Sequence, residues 1–484
     1  MLQLRTTNRN MESILNVPQK LRPKAKATMD NRLVAPEVID QQIIDDIDRL
    51  TEEHNHFWSS PNHDRSEYLH SFFQYPAMMV PVVQRKLIEI ITRNKPSISN
   101  VLDPYMGSGT SLVACMENGL DCYGQDINPL AILVAKTRTG PYYITAIKER
   151  KAAFFKLFEN DTSTKIEADF PGLKKWFKND VAVELSRIVR AIRKESRPAI
   201  RRFYWVILAE VVRLTSNDRT STFKLHIRKL EDINKRNISP IEVFKDHYQN
   251  CIEDLQWYSE LLIKSGRISK GAYKGNVTVK LADSKETIFD PAENIDFFDL
   301  LVTSPPYGDN KTTVTYGQHS YLPLQWIDLT DIHPLATSDY LKSTSEIDSR
   351  GLGGRIKRRN QQINLAELFL ASVSFEETYR KLVTNSPDKV NKVVSFIGDL
   401  YSSIKNIHKS LKADAYQIWT VGNRNVGGME IPNDRIIKEL LESQGAILVK
   451  KISREILNRR MAKRNKDAEL MSFEDILILR KVNG

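Results

Sequence analysis

The stretch Val101-Leu102-Asp103-Pro104-Tyr105-Met106-Gly107-Ser108-Gly109-Thr110, followed by a run to Gly119 and then by Cys122-Tyr123-Gly124-Gln125-Asp126, decides the fold. Two apolar residues form a short strand that runs into a Pro- and Gly-rich turn. Thr110 to Asn118 reads as a helix closed by Gly119, where a left-handed residue ends the helix. Cys122–Gln125 is a second strand with an acid, Asp126, at its end. Strand, glycine loop, helix and strand with a terminal acid make a nucleotide-binding half, in which the acid can accept both ribose hydroxyls. The loop is not a P-loop, because no Gly-Lys-Ser/Thr follows, and it lacks the GxGxxG spacing. On its own it also fits a tight turn with no ligand.

Outward from this core the α/β pattern extends in both directions. Pro81 opens a helix with apolar residues at Val83, Leu87, Ile90 and Ile91. Pro129 to Lys136 is the helix after the second strand. The alternation then stops for about 135 residues, where Val181–Glu195, Arg201–Leu214 and Ile241–Lys264 read as helices. It resumes with strands at Val277–Leu281 and Phe297–Val302, the latter apolar enough to be central and buried on both faces. Residues 308–390 read as mixed, polar and irregular. Val393–Leu411 is a helix, Tyr416–Val421 a strand, Asp434–Gln444 a helix, and Ile447–Lys450 and Ile476–Arg480 the last two strands. Residues 1–35 have no apolar period and read as a leader, and Val38–Leu50 can form an amphipathic helix.

Composition narrows the function class. The chain has 484 residues, 41% apolar and 27% charged, as soluble globular proteins have. It contains no apolar run of the length a membrane span needs and no apolar core for a signal peptide at its start. Three cysteines, Cys115, Cys122 and Cys251, build neither a disulfide framework nor a zinc site, so no metal is expected. The net charge of +11, from 71 basic and 60 acidic residues, favours a polyanionic partner, nucleic acid first. Residues 141–270 hold 26 basic and 17 acidic residues, most of the excess. Two further basic stretches are 350–359 and 451–466.

A second motif follows the central strand: Thr303-Ser304-Pro305-Pro306-Tyr307-Gly308. Two prolines remove two N–H donors and fix φ, so the turn offers carbonyl acceptors, beside a hydroxyl and an aromatic face. That set suits a planar substrate with an exocyclic NH₂. It also suits a stiffened loop with a core tyrosine.

With these residues in view, the chain resembles the S-adenosylmethionine-dependent DNA amino-methyltransferases, which methylate adenine N6 or cytosine N4. DPYMGSGT (103–110) resembles the family's methionine-binding motif, and Gly124-Gln125-Asp126-Ile127-Asn128-Pro129 its ribose motif. Leu281-Ala282-Asp283 is similar to the motif facing the adenine, and TSPPYG to the catalytic tetrad. Phe73–Met78 resembles the cofactor-closing segment, while 421–440, 454–465 and 473–481 resemble the C-terminal signatures. The resemblance spans roughly 70–140 and 275–484.

It implies a doubly wound, Rossmann-like α/β methyltransferase sheet, mostly parallel with an antiparallel last strand, interrupted by a helical insertion. The expected organisation is a leader over 1–50, a catalytic domain over 51–140 and 273–484, and a basic helical insertion over 141–272 that is the candidate target-recognition region. It also implies S-adenosylmethionine as cofactor, held by Tyr75, Pro76, Asp103, Tyr105, Gly107, Ser108, Gly109, Thr110, Asp126, Ile127 and Asp283. Ser304, Pro305, Pro306 and Tyr307 would be catalytic. Ser304 and the Pro305 carbonyl would accept the two amino protons, and Tyr307 would stack on a flipped base. Double-stranded DNA is the expected partner, with Asn217, Arg219, Thr220, Lys224, Arg355, Lys357, Arg358 and Arg424 as candidate contacts. A restriction–modification role with a cognate endonuclease, in a bacterial or archaeal cytoplasm, is inherited from the family.

A serine opening the tetrad resembles the cytosine-N4 type, whereas Asp or Asn is usual for adenine N6. Adenine N6 is the alternative target. A tRNA guanine-N2 methyltransferase, a protein glutamine methyltransferase and an inactive nucleic-acid-binding relative are rivals. The intact motifs and the basic excess disfavour the last two, and a dinucleotide dehydrogenase is disfavoured by the loop spacing.

Overall fold

The computed structural model describes residues 34–60, 67–289, 295–311, 313–354, 363–456 and 473–482. Helices and strands are numbered below in chain order, short helices being given by residue range. The first part runs α1 (Pro36–Glu53), α2 (Pro81–Asn94), β1 (Asn100–Asp103), α3 (Thr110–Asn118), β2 (Asp121–Asp126) and α4 (Pro129–Arg138). The insertion contributes α5 (Ile144–Glu159), α6 (Asn179–Arg193), α7 (Pro198–Thr215) and α8 (Pro240–Lys264). The chain continues through β3 (Val277–Leu281), β4 (Phe298–Thr303), α9 (Tyr316–Leu324), α10 (Val373–Asn385), α11 (Pro387–Ser410) and β5 (Leu411–Val421). It closes with α12 (Asn433–Glu442), β6 (Ala446–Glu455) and β7 (Phe473–Lys481).

Among the described residues these strands form one seven-stranded sheet in the order β6-β7-β5-β4-β1-β2-β3. The pairs β5–β4, β4–β1, β1–β2 and β2–β3 are parallel, and β7 is antiparallel to both of its neighbours. The expected mostly parallel sheet with an antiparallel last strand is thus observed. Phe298–Thr303 occupies the middle position, with Leu300, Leu301 and Val302 wholly buried. The period of two along each strand splits its side chains between faces. Val101, Leu300 and Val302 enter one apolar cluster, and Leu102 and Leu301 the other.

The sheet order reverses between β1 and β4, so the turns after these two adjacent strands open a crevice at their carboxyl ends. That crevice is where the glycine loop, the SPPY turn and the acid of β2 meet.

Three features differ from the sequence expectations. The helix α5 was not anticipated, because its apolar face is carried by aromatics such as Phe154 and Phe158 within a lysine-rich stretch. The described part of residues 308–390 is largely helical, containing α9, Leu365–Ala371 and α10; short helices with polar outer faces show little period in sequence. The helix α1 is wider than Val38–Leu50 and is fastened to the sheet rather than trailing from it. Its Ile43 and Ile47 are buried, and its Asp40 accepts from Arg480 Nη2 at 2.9 Å and from Tyr416 Oη at 2.7 Å. The insertion shares the sheet's apolar core: α7 is buried on nearly all sides, and Phe154 stacks on Tyr204 at 3.9 Å. No described helix is long and apolar enough to cross a membrane.

Candidate active site

A cleft enclosing about 850 Å³, part of it open to solvent, lies at the carboxyl ends of β1, β2, β3 and β4. The DPYMGSGT loop forms its floor. Gly107 (φ +50°) and Gly109 (φ +83°) adopt left-handed backbone, which a glycine reaches at little cost. A Cβ on Gly109 would lie 3.1 Å from the Cβ of Ala135 and 3.3 Å from its Cα, so the loop packs directly on α4.

Asp126 ties this floor to β2. One carboxylate oxygen accepts from Gly107 N at 3.0 Å and the other from Asn128 N at 2.8 Å. Each oxygen retains a lone pair for a hydroxyl donor. Desolvation raises its carboxyl to about 6, against the backbone donors. Asn128 caps α4 by accepting from Leu130 N, and its amide donates to Tyr75 Oη at 3.1 Å and Ser320 Oγ at 2.8 Å. Tyr75 in turn stacks on Tyr316, with centroids 5.7 Å apart. Burial, then the charge of Asp126, holds the Tyr75 phenol well above its usual range.

Of the residues expected to hold the cofactor, Tyr75, Pro76, Tyr105, Gly107, Ser108, Thr110, Asp126, Ile127 and Asp283 line this cleft. Asp103 and Gly109 do not. Asp103 is 1% exposed and braces three elements from behind, accepting from Tyr105 N at 3.0 Å, from Thr303 Oγ1 at 2.7 Å and from Ser111 Oγ. Asp283 faces the cleft but is engaged by Lys285, whose ammonium lies 3.1 Å away.

Ser304 and Pro306 line the same cleft. Tyr307 stands beside it; its phenol donates to Glu474 Oε1 at 3.0 Å and lies 3.4 Å from Ser304 Oγ. Its carbonyl accepts from Asn433 Nδ2 at 2.9 Å, so the stretch around 421–440 supports the SPPY turn.

The candidate DNA contacts divide. Asn217 is 5% exposed and its amide donates to Lys175 O, so it holds the insertion together. Arg424 is tucked under the turn: its side chain is 11% exposed, and its guanidinium lies 3.6 Å from Asp309 and would be struck by a Cβ on Gly308. Neither reaches solvent freely. Arg219 and Lys224 are exposed, and Thr220 is half-buried, on a loop closed by a bridge between Asp218 and Ile227. Arg355, Lys357 and Arg358 lie outside the described residues.

Several lining residues escaped sequence reasoning. Tyr316, Ile347, Gly351, Leu352 and Asn310 form a wall drawn from the stretch read as irregular. Only Asn310 had a signal, its closeness to the tetrad. Arg138 is another. Wholly buried behind the loop, it donates to Ser108 O at 2.9 Å and Ser108 Oγ at 3.0 Å. Among the described residues no group of three or more His, Cys, Asp or Glu side chains is placed to hold a metal.

These residues fit an adenosyl sulfonium cofactor: a carboxylate with spare acceptor capacity stands at the end of β2, next to a glycine floor open to close approach. An α/β fold with that floor, and a Ser-Pro-Pro-Tyr turn on the neighbouring strand, is the arrangement of an amino-methyltransferase. The comparisons agree. Residues 10–137 match a family described as DNA methylase, of the N6/N4 group. The chain is 31% identical over 437 residues to the Type II methyltransferase M.MvaI of Kocuria varians, covering 88% of this chain and 92% of that protein. It is 32% identical over 87 residues, 18% of this chain and 16% of the relative, to the Type II methyltransferase M.MjaII of Methanocaldococcus jannaschii. An rRNA methyltransferase, aviRa from Streptomyces viridochromogenes, aligns over 86% of this chain and 90% of its own at 10% identity and a TM-score of 0.32, which carries no weight here. The chain belongs to the DNA methylase family and is an S-adenosylmethionine-dependent DNA methyltransferase.

Proposed function

We propose that the protein methylates the exocyclic N4 of a flipped cytosine within a specific double-stranded DNA sequence, as the modifying partner of a restriction endonuclease. The observation that carries this reading is that Ser304 and Pro306 share one cleft with Gly107 and Asp126. A base entering over the turn then meets the methyl group of a cofactor seated on the loop.

The cofactor supplies an electrophilic methyl on a sulfonium. The protein supplies orientation and acceptors. The lone pair of an exocyclic amine is delocalised into the ring. Ser304 Oγ and the Pro305 carbonyl, by accepting the two amino protons, draw the nitrogen toward sp³ and aim its lone pair. Tyr307 packs on the face of the flipped base. Asp126 would accept the ribose hydroxyls, Tyr75 and Pro76 would close over the cofactor, and Gly107, Ser108 and Thr110 would receive its methionine end. Serine at the head of the tetrad supports cytosine over adenine.

Arg219 and Lys224 would contact the DNA backbone. Their loop leans on α9, the helix that brings Tyr316 to the cleft. Thr315 Oγ1 donates to Phe223 O at 3.0 Å, and Leu225 N donates to Gln318 Oε1 at 3.2 Å. The exposed basic groups therefore stand one helix away from the entrance.

Nucleoside mass spectrometry tests the proposal: unmethylated DNA, isotope-labelled S-adenosylmethionine, and digestion to nucleosides. Labelled N4-methylcytosine is expected. Labelled N6-methyladenine would overturn the target base while leaving the mechanism.

A further inference from the structure

Methyl transfer to an amine leaves a proton to be disposed of, and a pair of hydroxyls reaching out beside the cleft ends at a carboxylate. The hydroxyls of Ser304 and Tyr307 are 3.4 Å apart, and with the phenol proton given to Glu474 the serine is the donor of the pair. Tyr307 Oη is 3.0 Å from Glu474 Oε1. The other carboxylate oxygen, Oε2, is taken by Arg454, whose Nε lies 2.9 Å away and whose Nη2 also donates to it. Register across the β6–β7 pair sets Arg454 opposite Glu474, so the carboxylate is held in one orientation. Among the described residues the division leaves Oε1 to the tyrosine. The Glu474 side chain is 14% exposed, enough to pass a proton to water.

We propose that Glu474 is the terminal acceptor of the proton released by the target amino group, delivered through Ser304 and Tyr307. This rests on the assignment of Ser304 and Tyr307 to the target base. The amino lone pair forms the N–C bond as the S–C bond breaks and its electron pair returns to sulfur. The nitrogen then bears a positive charge. Its N–H proton passes to Ser304 Oγ, the Ser304 proton to Tyr307 Oη, and the Tyr307 proton to Glu474 Oε1. The hydroxyls end as they began, the amine is neutral, and the carboxylate has become a carboxylic acid. Before transfer, its charge lies on the side where the positive charge develops, which lowers the barrier. The groups placed to act on it are Tyr307 from the turn, Arg454 from β6 and, by its field, Tyr316 from α9.

The test uses the full chain with S-adenosylmethionine and a DNA substrate. Tyr307→Phe keeps the aromatic face and removes only the hydroxyl; Glu474→Gln removes the proton acceptor. Both variants should lower the single-turnover methylation rate about a hundredfold, the scale of general base catalysis. The double variant should be no slower than the slower single one, because one chain is cut twice. Cofactor affinity, measured by calorimetry, should stay at the wild-type value, which also reports folding. A single variant within about threefold of wild type, or multiplicative losses in the double variant, overturns the relay and leaves the function standing. If the wild-type protein modifies no DNA, the function and the relay fall together.

Discussion

Replacing Asp126 by Asn tests the cofactor site at its most informative atom pair. The carboxylate receives Gly107 N at 3.0 Å on one oxygen and Asn128 N at 2.8 Å on the other. An amide offers one oxygen, so in Asp126→Asn one of these N–H groups faces an NH₂ instead of an acceptor. The ribose hydroxyls lose a charged acceptor at the same time. A hydrogen bond to a charged group contributes about 1.5–3 kcal/mol, so the Kd for S-adenosylmethionine should rise between about 10-fold and about 150-fold. Isothermal titration reads this directly, with DNA binding as the control for folding. A pH series adds a second arm. Desolvation lifts the Asp126 carboxyl to about 6, and the ionised form is the one that accepts. Wild-type affinity should therefore weaken as pH falls through about 6, while the Asn variant, which keeps the buried carboxyls of Asp103 and Asp348 titrating in that range, should lose less. A rise below about threefold at neutral pH, or the same pH dependence in both proteins, would refute the role.

Three further outcomes are expected. Ser304→Ala should lower kcat with the cofactor Kd unchanged, since the hydroxyl meets the amino group and not the loop; parallel losses in both would place Ser304 elsewhere. Arg480→Met should destabilise the fold by about 3–5 kcal/mol in denaturant unfolding, because Asp40, buried and bonded at 2.9–3.1 Å, is left without its cation; a cost below about 1 kcal/mol would show that water reaches the site. Arg219→Ala with Lys224→Ala should weaken DNA binding across all sequences and flatten its dependence on salt by about 0.9 per lost phosphate contact; an unchanged slope removes that loop from the DNA.

Much of the sheet could be read from sequence because its strands are short apolar runs ending in residues with few other uses. Val101–Leu102 before Asp103-Pro104, and Phe297–Val302 before Ser304-Pro305, each announce a buried strand meeting a turn. The cofactor floor was legible for the same reason, since glycine after a strand has a geometric meaning. What could not be read was the division of labour among buried polar groups. Asp103 and Asp126 look alike in sequence, each an acid at a strand end. One points back to Ser111 and Thr303, and the other to the cleft. Arg424 and Arg219 both looked like DNA contacts, yet only packing shows that Gly308 leaves room for the first beneath the turn. The wall from Tyr316 to Leu352 was invisible because its residues come from short helices, whose faces are set by their neighbours rather than by a period.

The segment that carries Tyr75 is bound to the insertion from several sides. Gln74 Oε1 accepts from Arg213 Nη2 at 3.1 Å, Gln74 O lies 3.0 Å from His319 Nε2, and His247 Nε2 lies 3.0 Å from Phe72 O. Anyone grafting residues 141–272 between related enzymes would cut the first and last of these ties and leave the cofactor's closing segment against a foreign helix. The transplantable unit is therefore discontinuous: the helical block together with residues 67–80, carried over as one piece. A chimera built on the block alone would lose cofactor affinity before it revealed whether the block reads DNA sequence.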